Sequence, residues 1–217
     1  MIGGLRCAYS GMFTQRTWVH RVQMPQILSQ VDGELALVEQ FIADADAQQF
    51  FAVLQNELPW HDEHIRMFGK DVRVPRRVCW CGDPGAVYSY SGVRHDPAPW
   101  TATLLDLKQR IERATQQDFN SVLGILYRNE NDSMGWHADK EKELGAQPFI
   151  ASLSFGAARV FRAQHTKGRQ VVNVTLNNGS LLTMSGVFQK HWRHCVPKQT
   201  HATLPRINLT FRYIHSP

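Results

Sequence analysis

The triplet His137-Ala138-Asp139 sets an imidazole and a carboxylate two positions apart. On extended backbone, side chains at i and i+2 project to the same side, so both groups can converge on one metal ion. Alone, such a triplet is a weak signal. A third ligand would have to come from the C-terminal half, which offers His165, His191, His194, His201 and His215. Two histidines and a carboxylate on one face of a metal leave the opposite positions open, the arrangement of non-haem Fe(II) oxygen chemistry. Zinc hydrolysis uses the same ligand types, so the donor set does not select the metal.

A cosubstrate site would discriminate between them, and the segment Arg206-Ile207-Asn208-Leu209-Thr210-Phe211-Arg212 bears on this. Polar and apolar residues alternate along it. As a surface strand, its polar side would simply face water. Turned into a barrel, the two arginines would need anions, because a buried guanidinium without a partner is strongly unfavourable. A small dicarboxylate would suit. Six residues of strand span roughly 20 Å, longer than a five-carbon diacid, so the arginines lean inward or one of them serves a metal-side carboxylate such as Asp139.

The elements that must position these groups are legible in outline. Asp44 or Asp46 is placed to cap a helix bearing Phe50, Phe51, Val53, Leu54 and Leu58, after an apolar lead-in from Gly33 to Ile42. Leu104, Leu107, Ile111 and Ala114 predict a second helix over Thr101 to Gln117. Phe68 to Trp100, rich in Gly, Pro, Arg and Tyr, reads as loops and hairpins on a binding surface. After Phe119 come short β-type runs: Val122 to Tyr127, Phe149 to Phe155, Arg159 to Ala163, Val171 to Leu176, Ser180 to Met184 and Arg206 to Ile214. Turn signals such as Asn177-Asn178-Gly179 separate them. Many short strands without helices between them predict a jelly-roll sandwich or barrel.

Length and composition agree with this outline. The chain has 217 residues, 43% hydrophobic and 20% charged, enough for one globular domain. No apolar run approaches the roughly 18 residues of a membrane span, which predicts no membrane partner. The net charge of +5 attracts polyanions weakly. Four cysteines, Cys7, Cys79, Cys81 and Cys195, lack CxxC spacing and fit a reducing compartment, cytoplasmic or, in a eukaryote, nuclear. Residues 1–31 have no acidic side chain before Asp32 and read as a basic arm, disordered or leader-like. Residues 32–217 form the catalytic domain, with helices and a lid over 32–118 and the β-core over 119–217.

The residues resemble a known family, the AlkB-type Fe(II)/2-oxoglutarate-dependent dioxygenases that repair alkylated nucleic acid, and most resemble its duplex-DNA-active subgroup. The resemblance runs from Met67 to Arg212, about two-thirds of the chain. It rests on Val74-Pro75-Arg76, Tyr88-Ser89-Tyr90-Ser91-Gly92, Pro99-Trp100, Phe119-Asn120, Leu126-Tyr127, His137-Ala138-Asp139, the Ala151 to Ala157 run, His194 and the Arg206 to Arg212 segment. It implies an α+β protein with a double-stranded β-helix (jelly-roll) core, N-terminal helices and a nucleotide-recognition lid. His137, Asp139 and His194 would ligate Fe(II); His194 lies twelve residues before Arg206, as the family spacing requires, and His191 does not. Tyr127 and Arg206 would hold the distal carboxylate of 2-oxoglutarate. Arg212 would hold its proximal end and brace Asp139, with Asn208 nearby. Many members carry Asn two positions before the tyrosine, where this chain has Ile125, which removes one amide contact.

The resemblance also implies the substrate. Tyr90 and His137 would sandwich a flipped base whose polar edge meets Tyr88 and Glu141. Phe68, in Met67-Phe68-Gly69-Lys70, would be a wedge filling the vacated stack, and Arg76 would meet the opposite strand or a phosphate. The implied reaction uses 2-oxoglutarate and O2 to hydroxylate the methyl of N1-methyladenine or N3-methylcytosine in single- or double-stranded DNA, releasing formaldehyde. The alternatives are the same chemistry on RNA and a non-catalytic reader of modified nucleic acid. A monomer is expected.

Overall fold

A computed structural model describes residues 24–67, 69–90 and 93–215, with backbone alone for residues 65–67, 70, 88–90 and 93–95. In chain order the elements are β1 (Gln26–Ser29), β2 (Glu34–Val38), α1 (Asp44–Glu57), β3 (His61–Met67), β4 (Lys70–Gly82), β5 (Tyr88–Tyr90), β6 (Val93–His95), α2 (Ala102–Thr115) and β7 (Ser121–Tyr127). The second half holds β8 (Met134–His137), a 3-10 turn (Lys142–Leu144), β9 (Ile150–Gly156), β10 (Arg159–His165), β11 (Val171–Leu176), β12 (Leu181–Ser185), α3 (Phe188–His191), β13 (Trp192–Val196) and β14 (Arg206–Arg212).

Eight strands form a major sheet in the order β1-β2-β12-β9-β14-β7-β4-β3, and four form a minor sheet, β11-β10-β13-β8. Apolar residues of both inner faces, among them Leu35, Ile125, Ile150, Phe161, Leu182 and Trp192, fill the space between the sheets. The outer face of the major sheet packs Leu153, Phe155, Leu209 and Phe211 against Leu54 of α1 and Leu104, Leu107 and Ile111 of α2. The result is three layers, helices on a jelly roll, because the sandwich faces alternate apolar residues inward and the major sheet buries both of its faces. Thr101 caps α2, its hydroxyl accepting from Leu104 N–H, whereas α1 starts at Ala43 without a side-chain cap and places Asp44 and Asp46 in its first turn.

Several expectations are corrected. The stretch read as a basic arm through Val31 contains β1, which pairs with β2, so the folded part begins before residue 32. The stretch after Phe68, read as loops and hairpins, holds a longer strand than that reading implies: β4 runs thirteen residues and pairs with β7 in the major sheet. Pro75 argues against a strand there, but its missing N–H leaves no gap. It sits in the register shift between Asp62↔Arg77 and His64↔Arg73, before pairing with β7 begins at Arg77. The short helix α3 and the strand β13 fall between β12 and β14, where sequence periodicity is too short to register them.

The Asn177-Asn178-Gly179 turn joins β11 to β12. Gly179 has φ +75°, and a Cβ there would stand 2.1 Å from the Ile42 carbonyl oxygen, while Ile42 N–H donates to Gly179 O at 3.0 Å. Gly179→Ala is expected to lower stability by about 2 kcal/mol, a fall of several degrees in Tm for a chain this size. A melting curve unchanged by the substitution would contradict this reading of the turn.

Candidate active site

Register brings the first three candidates together. His137 ends β8 and pairs across the minor sheet with His194 of β13, their ring centroids 4.3 Å apart. Asp139 follows two residues beyond, its backbone N–H donating to Gln189 Oε1 of α3 at 3.0 Å. The ligand atoms of the three side chains lie within 4.8 Å of one another. His137 Nδ1–H donates to Gly135 O at 2.9 Å, which fixes the tautomer and leaves Nε2 free to face Asp139 Oδ1 at 3.7 Å. His194 and Asp139 are almost completely buried, whereas the His137 side chain is 31% exposed, so the site opens at β8.

The electrostatics suit a cation. Burial would raise the Asp139 carboxyl, but the charge of Arg212, whose Nη2 donates to Oδ2 at 3.0 Å, and the two imidazoles outweigh it and hold the group at about 2. Burial first, then His137, pushes His194 down to about 3. The pair therefore stands as an ionised carboxylate and a neutral imidazole at neutral pH, the forms that ligate metal. His194 Nδ1 is buried without a hydrogen-bond partner. One carboxylate and two imidazoles on one side of a point fit a divalent first-row metal with open positions opposite.

β14 supplies the second half of the cavity. Its residues pair in order with β7, Arg206↔Tyr127, Asn208↔Ile125, Thr210↔Leu123 and Arg212↔Ser121. Ile207, Leu209 and Phe211 are committed to the helix-side core, so the polar residues must face the other way, into the sandwich, and every residue of the strand is buried. The water-facing alternative for this strand is thus excluded. The two arginines divide the work as their separation requires, Arg212 on Asp139 and Arg206 at the far end. Arg206 is fully buried, donates from Nη2 to Ser154 Oγ at 2.9 Å, and its Nε and Nη1 lack partners. Burial pulls it down to about 10, against the opposing influence of Tyr127, whose ring lies 5.2 Å from its Cζ. A fully desolvated guanidinium with unmet donors is a site for a carboxylate. Asn208 Nδ2 donates to Ser152 Oγ and Leu153 O, and Ile125, opposite it, packs into the sandwich core.

The remaining candidates are less gathered. The β3–β4 hairpin exists, with Met67 paired to Lys70, but Phe68 itself lies outside the described residues. Tyr88 and Tyr90 lie on β5, paired to β6, and their side chains are outside the description. Glu141 opens the 3-10 turn two residues after Asp139. Arg76, expected at the opposite strand or a phosphate, is buried: Nη1 donates to Ser133 O at 3.2 Å and Nη2 is 4.0 Å from Glu63. In this structure it braces β4 against the loop before β8.

Sequence reasoning missed Arg159 and Gln189. Arg159 is buried and donates to the carbonyls of Asn129, Asp132 and Pro197, tying the loop before β8 to the connection after β13, the two strands that carry His137 and His194. Its Cζ stacks 5.1 Å from the Tyr127 ring, opening a cation–π contact beside Arg206. An arginine in a β-run, like a glutamine in a four-residue helix, has no local signal. Arg159→Met would leave three carbonyls unmet. It is expected to destabilise by about 3 kcal/mol, read as a Tm drop of roughly 6–12 °C. A shift under a degree would show that water replaces the guanidinium freely.

A second cluster, Asp32, His165 and His191, also gathers three potential ligands. There His165 Nδ1 accepts from Gly168 N–H at 2.7 Å, so Nε2 carries the proton it gives Asp32 at 2.9 Å. With its lone pair on the wrong nitrogen, this histidine pins the β1–β2 turn to β10 and does not ligate.

The fold and the paired His-Asp-His and arginine ends of one cavity define a class, and comparison with known proteins gives the same answer. The pattern of the 2OG-Fe(II) oxygenase superfamily matches residues 34–212, and the chain belongs to that family. It is an AlkB-type dioxygenase that uses Fe(II) and 2-oxoglutarate, with O2 as cosubstrate. It is 37% identical to alpha-ketoglutarate-dependent dioxygenase alkB homolog 3 of Bos taurus over 98% of this chain and 76% of that one. It is likewise 37% identical to DNA oxidative demethylase ALKBH2 of Homo sapiens, over 78% of this chain and 69% of that one. The structure of OsALKBH1 superposes with a TM-score of 0.62 at 13% identity, covering 87% of this chain and all of that one, a likeness of fold. No described helix is long and apolar enough to cross a membrane.

Proposed function

We propose that the chain oxidatively demethylates N-alkylated bases in DNA, N1-methyladenine and N3-methylcytosine, and so repairs alkylation damage. The observation that carries this reading is the cavity that joins an ionised Asp139 and two histidines at one end to the buried Arg206 and Tyr127 at the other. The name of the ALKBH2 relative, DNA oxidative demethylase, supplies the substrate class.

In this reading His137, Asp139 and His194 hold the iron. Iron held there would supply the activation of O2 that 2-oxoglutarate drives, the keto acid being converted to succinate and carbon dioxide. Arg206 and Tyr127 hold the distal carboxylate of 2-oxoglutarate by a charge-assisted pair and a hydroxyl, fixing the keto acid along β14. Arg212 keeps Asp139 ionised and aimed. Burial of the arginine end excludes water, and the opening beside His137 admits the base. Tyr88, Tyr90 and Glu141 hold that base, and a cationic methylated base suits aromatic faces beside a carboxylate. The methyl carbon gains one oxygen atom, and the cationic hydroxymethyl product gives up its hydroxyl proton as the N–C bond breaks, releasing formaldehyde and returning the electron pair to the ring nitrogen of the neutral base.

The test incubates the protein with Fe(II), 2-oxoglutarate, O2 and oligonucleotides carrying either lesion, single-stranded, paired, or as RNA, and follows loss of one methylene by mass spectrometry. Loss from DNA is expected, with Phe68→Ala slowing paired substrates more than single strands. Decarboxylation of 2-oxoglutarate without demethylation of any oligonucleotide would overturn the substrate, and equal slowing by Phe68→Ala would remove the wedge.

A further inference from the structure

The four strands of the minor sheet contain no aspartate or glutamate. Along β10 and β13, Phe161, Ala163 and His194 face inward, and the alternate residues Arg162, Gln164 and Arg193 make an outer face. On β8, the residue before His137 is Trp136, which is 44% exposed. Arg193 Cζ lies 5.1 Å from that ring, and Arg193 Nη2 donates to Gln164 Oε1 at 2.8 Å, which holds guanidinium and indole in one arrangement. Trp136, Arg162, Gln164, Val171 and Asn173 line an open groove of about 460 Å³.

This groove lies on the back of the wall that carries the metal candidates. β8 is the edge strand of its sheet, and the cavity opens at the same strand through His137. A polymer leaving the cavity round that edge meets Trp136 first, then Arg193 and then Arg162. The groove offers an aromatic plane, one cation, Arg162, and two amides, with Arg193 beside it against the indole and no carboxylate on the strands beneath. Unstacked bases lie on an indole, phosphates meet guanidinium groups, and amides meet base edges, whereas a duplex keeps its base faces covered.

We propose that the outer face of the minor sheet binds the unpaired strand flanking the modified base, a few nucleotides from the cavity. The proposal rests on the nucleic-acid reading of the active site and extends it to a second surface.

The test measures anisotropy of labelled single strands carrying a central N1-methyladenine, one of about five and one of about fifteen nucleotides, with the iron- and 2-oxoglutarate-loaded enzyme under nitrogen. The wild type is expected to bind the longer strand more tightly. Trp136→Ala and Arg162→Glu should each weaken the longer strand about tenfold and leave the shorter within about twofold, with Trp136→Phe restoring most of the loss. Arg162→Glu should also flatten the salt dependence. A longer RNA strand should lose as much as DNA. Equal losses on both lengths, no loss, or displacement by polyglutamate as effective as by oligodeoxythymidine would overturn the proposal. A wild type that binds and demethylates both strands while the variants match it removes this surface alone. A wild type that binds neither strand removes the nucleic-acid reading with it.

Discussion

His137→Ala is expected to abolish 2-oxoglutarate-dependent turnover, by on the order of a thousandfold or more, because losing one of three ligands forfeits several kcal/mol of metal-borne stabilisation. The protein should still fold. The His137 side chain is 31% exposed and its one fixed hydrogen bond is to the nearby Gly135 carbonyl, so Tm should stay close to wild type. Asp139→Asn should lose turnover comparably but with a different stability signature. It keeps the shape at that position and leaves Arg212 buried beside a neutral amide, so this variant should melt lower, by a few kcal/mol. Turnover by His137→Ala within tenfold of wild type would show that the ion is held elsewhere.

Arg206→Met should give the second large effect, confined to the cosubstrate. Removing the charge-assisted contacts to a buried carboxylate is expected to raise KM for 2-oxoglutarate about a hundredfold with a smaller change in kcat at saturation. Without the keto acid, stability should hold or rise. The native guanidinium is buried, pulled down to about 10 and short of partners, and an apolar side chain of similar volume relieves that burden. The stabilisation that 2-oxoglutarate confers on the wild type, seen as a concentration-dependent rise in Tm, should be absent from the variant. An unchanged KM, or a Tm that falls with kcat and not with cosubstrate binding, would make Arg206 a structural arginine.

How much of this was legible in sequence follows from the range of the interactions. β14 was visible because alternation is local, yet whether its polar side met water or a cavity was decided by α1 and α2 covering Ile207, Leu209 and Phe211 from the other side. The His137-Ala138-Asp139 triplet was visible for the same reason. His194 was one histidine among several by residue type alone and was singled out only by the family resemblance; its pairing with His137 through β13 is a long-range contact. β4 was hidden by Pro75 and its charged residues, whose meaning depends on a bulge opposite β3. The burial of Arg76 was not legible because nothing near it in sequence announces the Ser133 carbonyl that it meets. Arg159 and Gln189 were silent because their roles consist of contacts to segments about 30 and 50 residues away.

The most direct measurement is an anaerobic titration of the apoprotein with Fe(II) and then 2-oxoglutarate, followed by visible absorption. One equivalent of each should produce the charge-transfer band of a keto acid chelated to iron, absent from His137→Ala, Asp139→Asn and His194→Ala and requiring far more 2-oxoglutarate in Arg206→Met. A wild-type protein that binds Fe(II) without developing the band, or a band that survives loss of His194, would contradict the placement of metal and keto acid in this cavity.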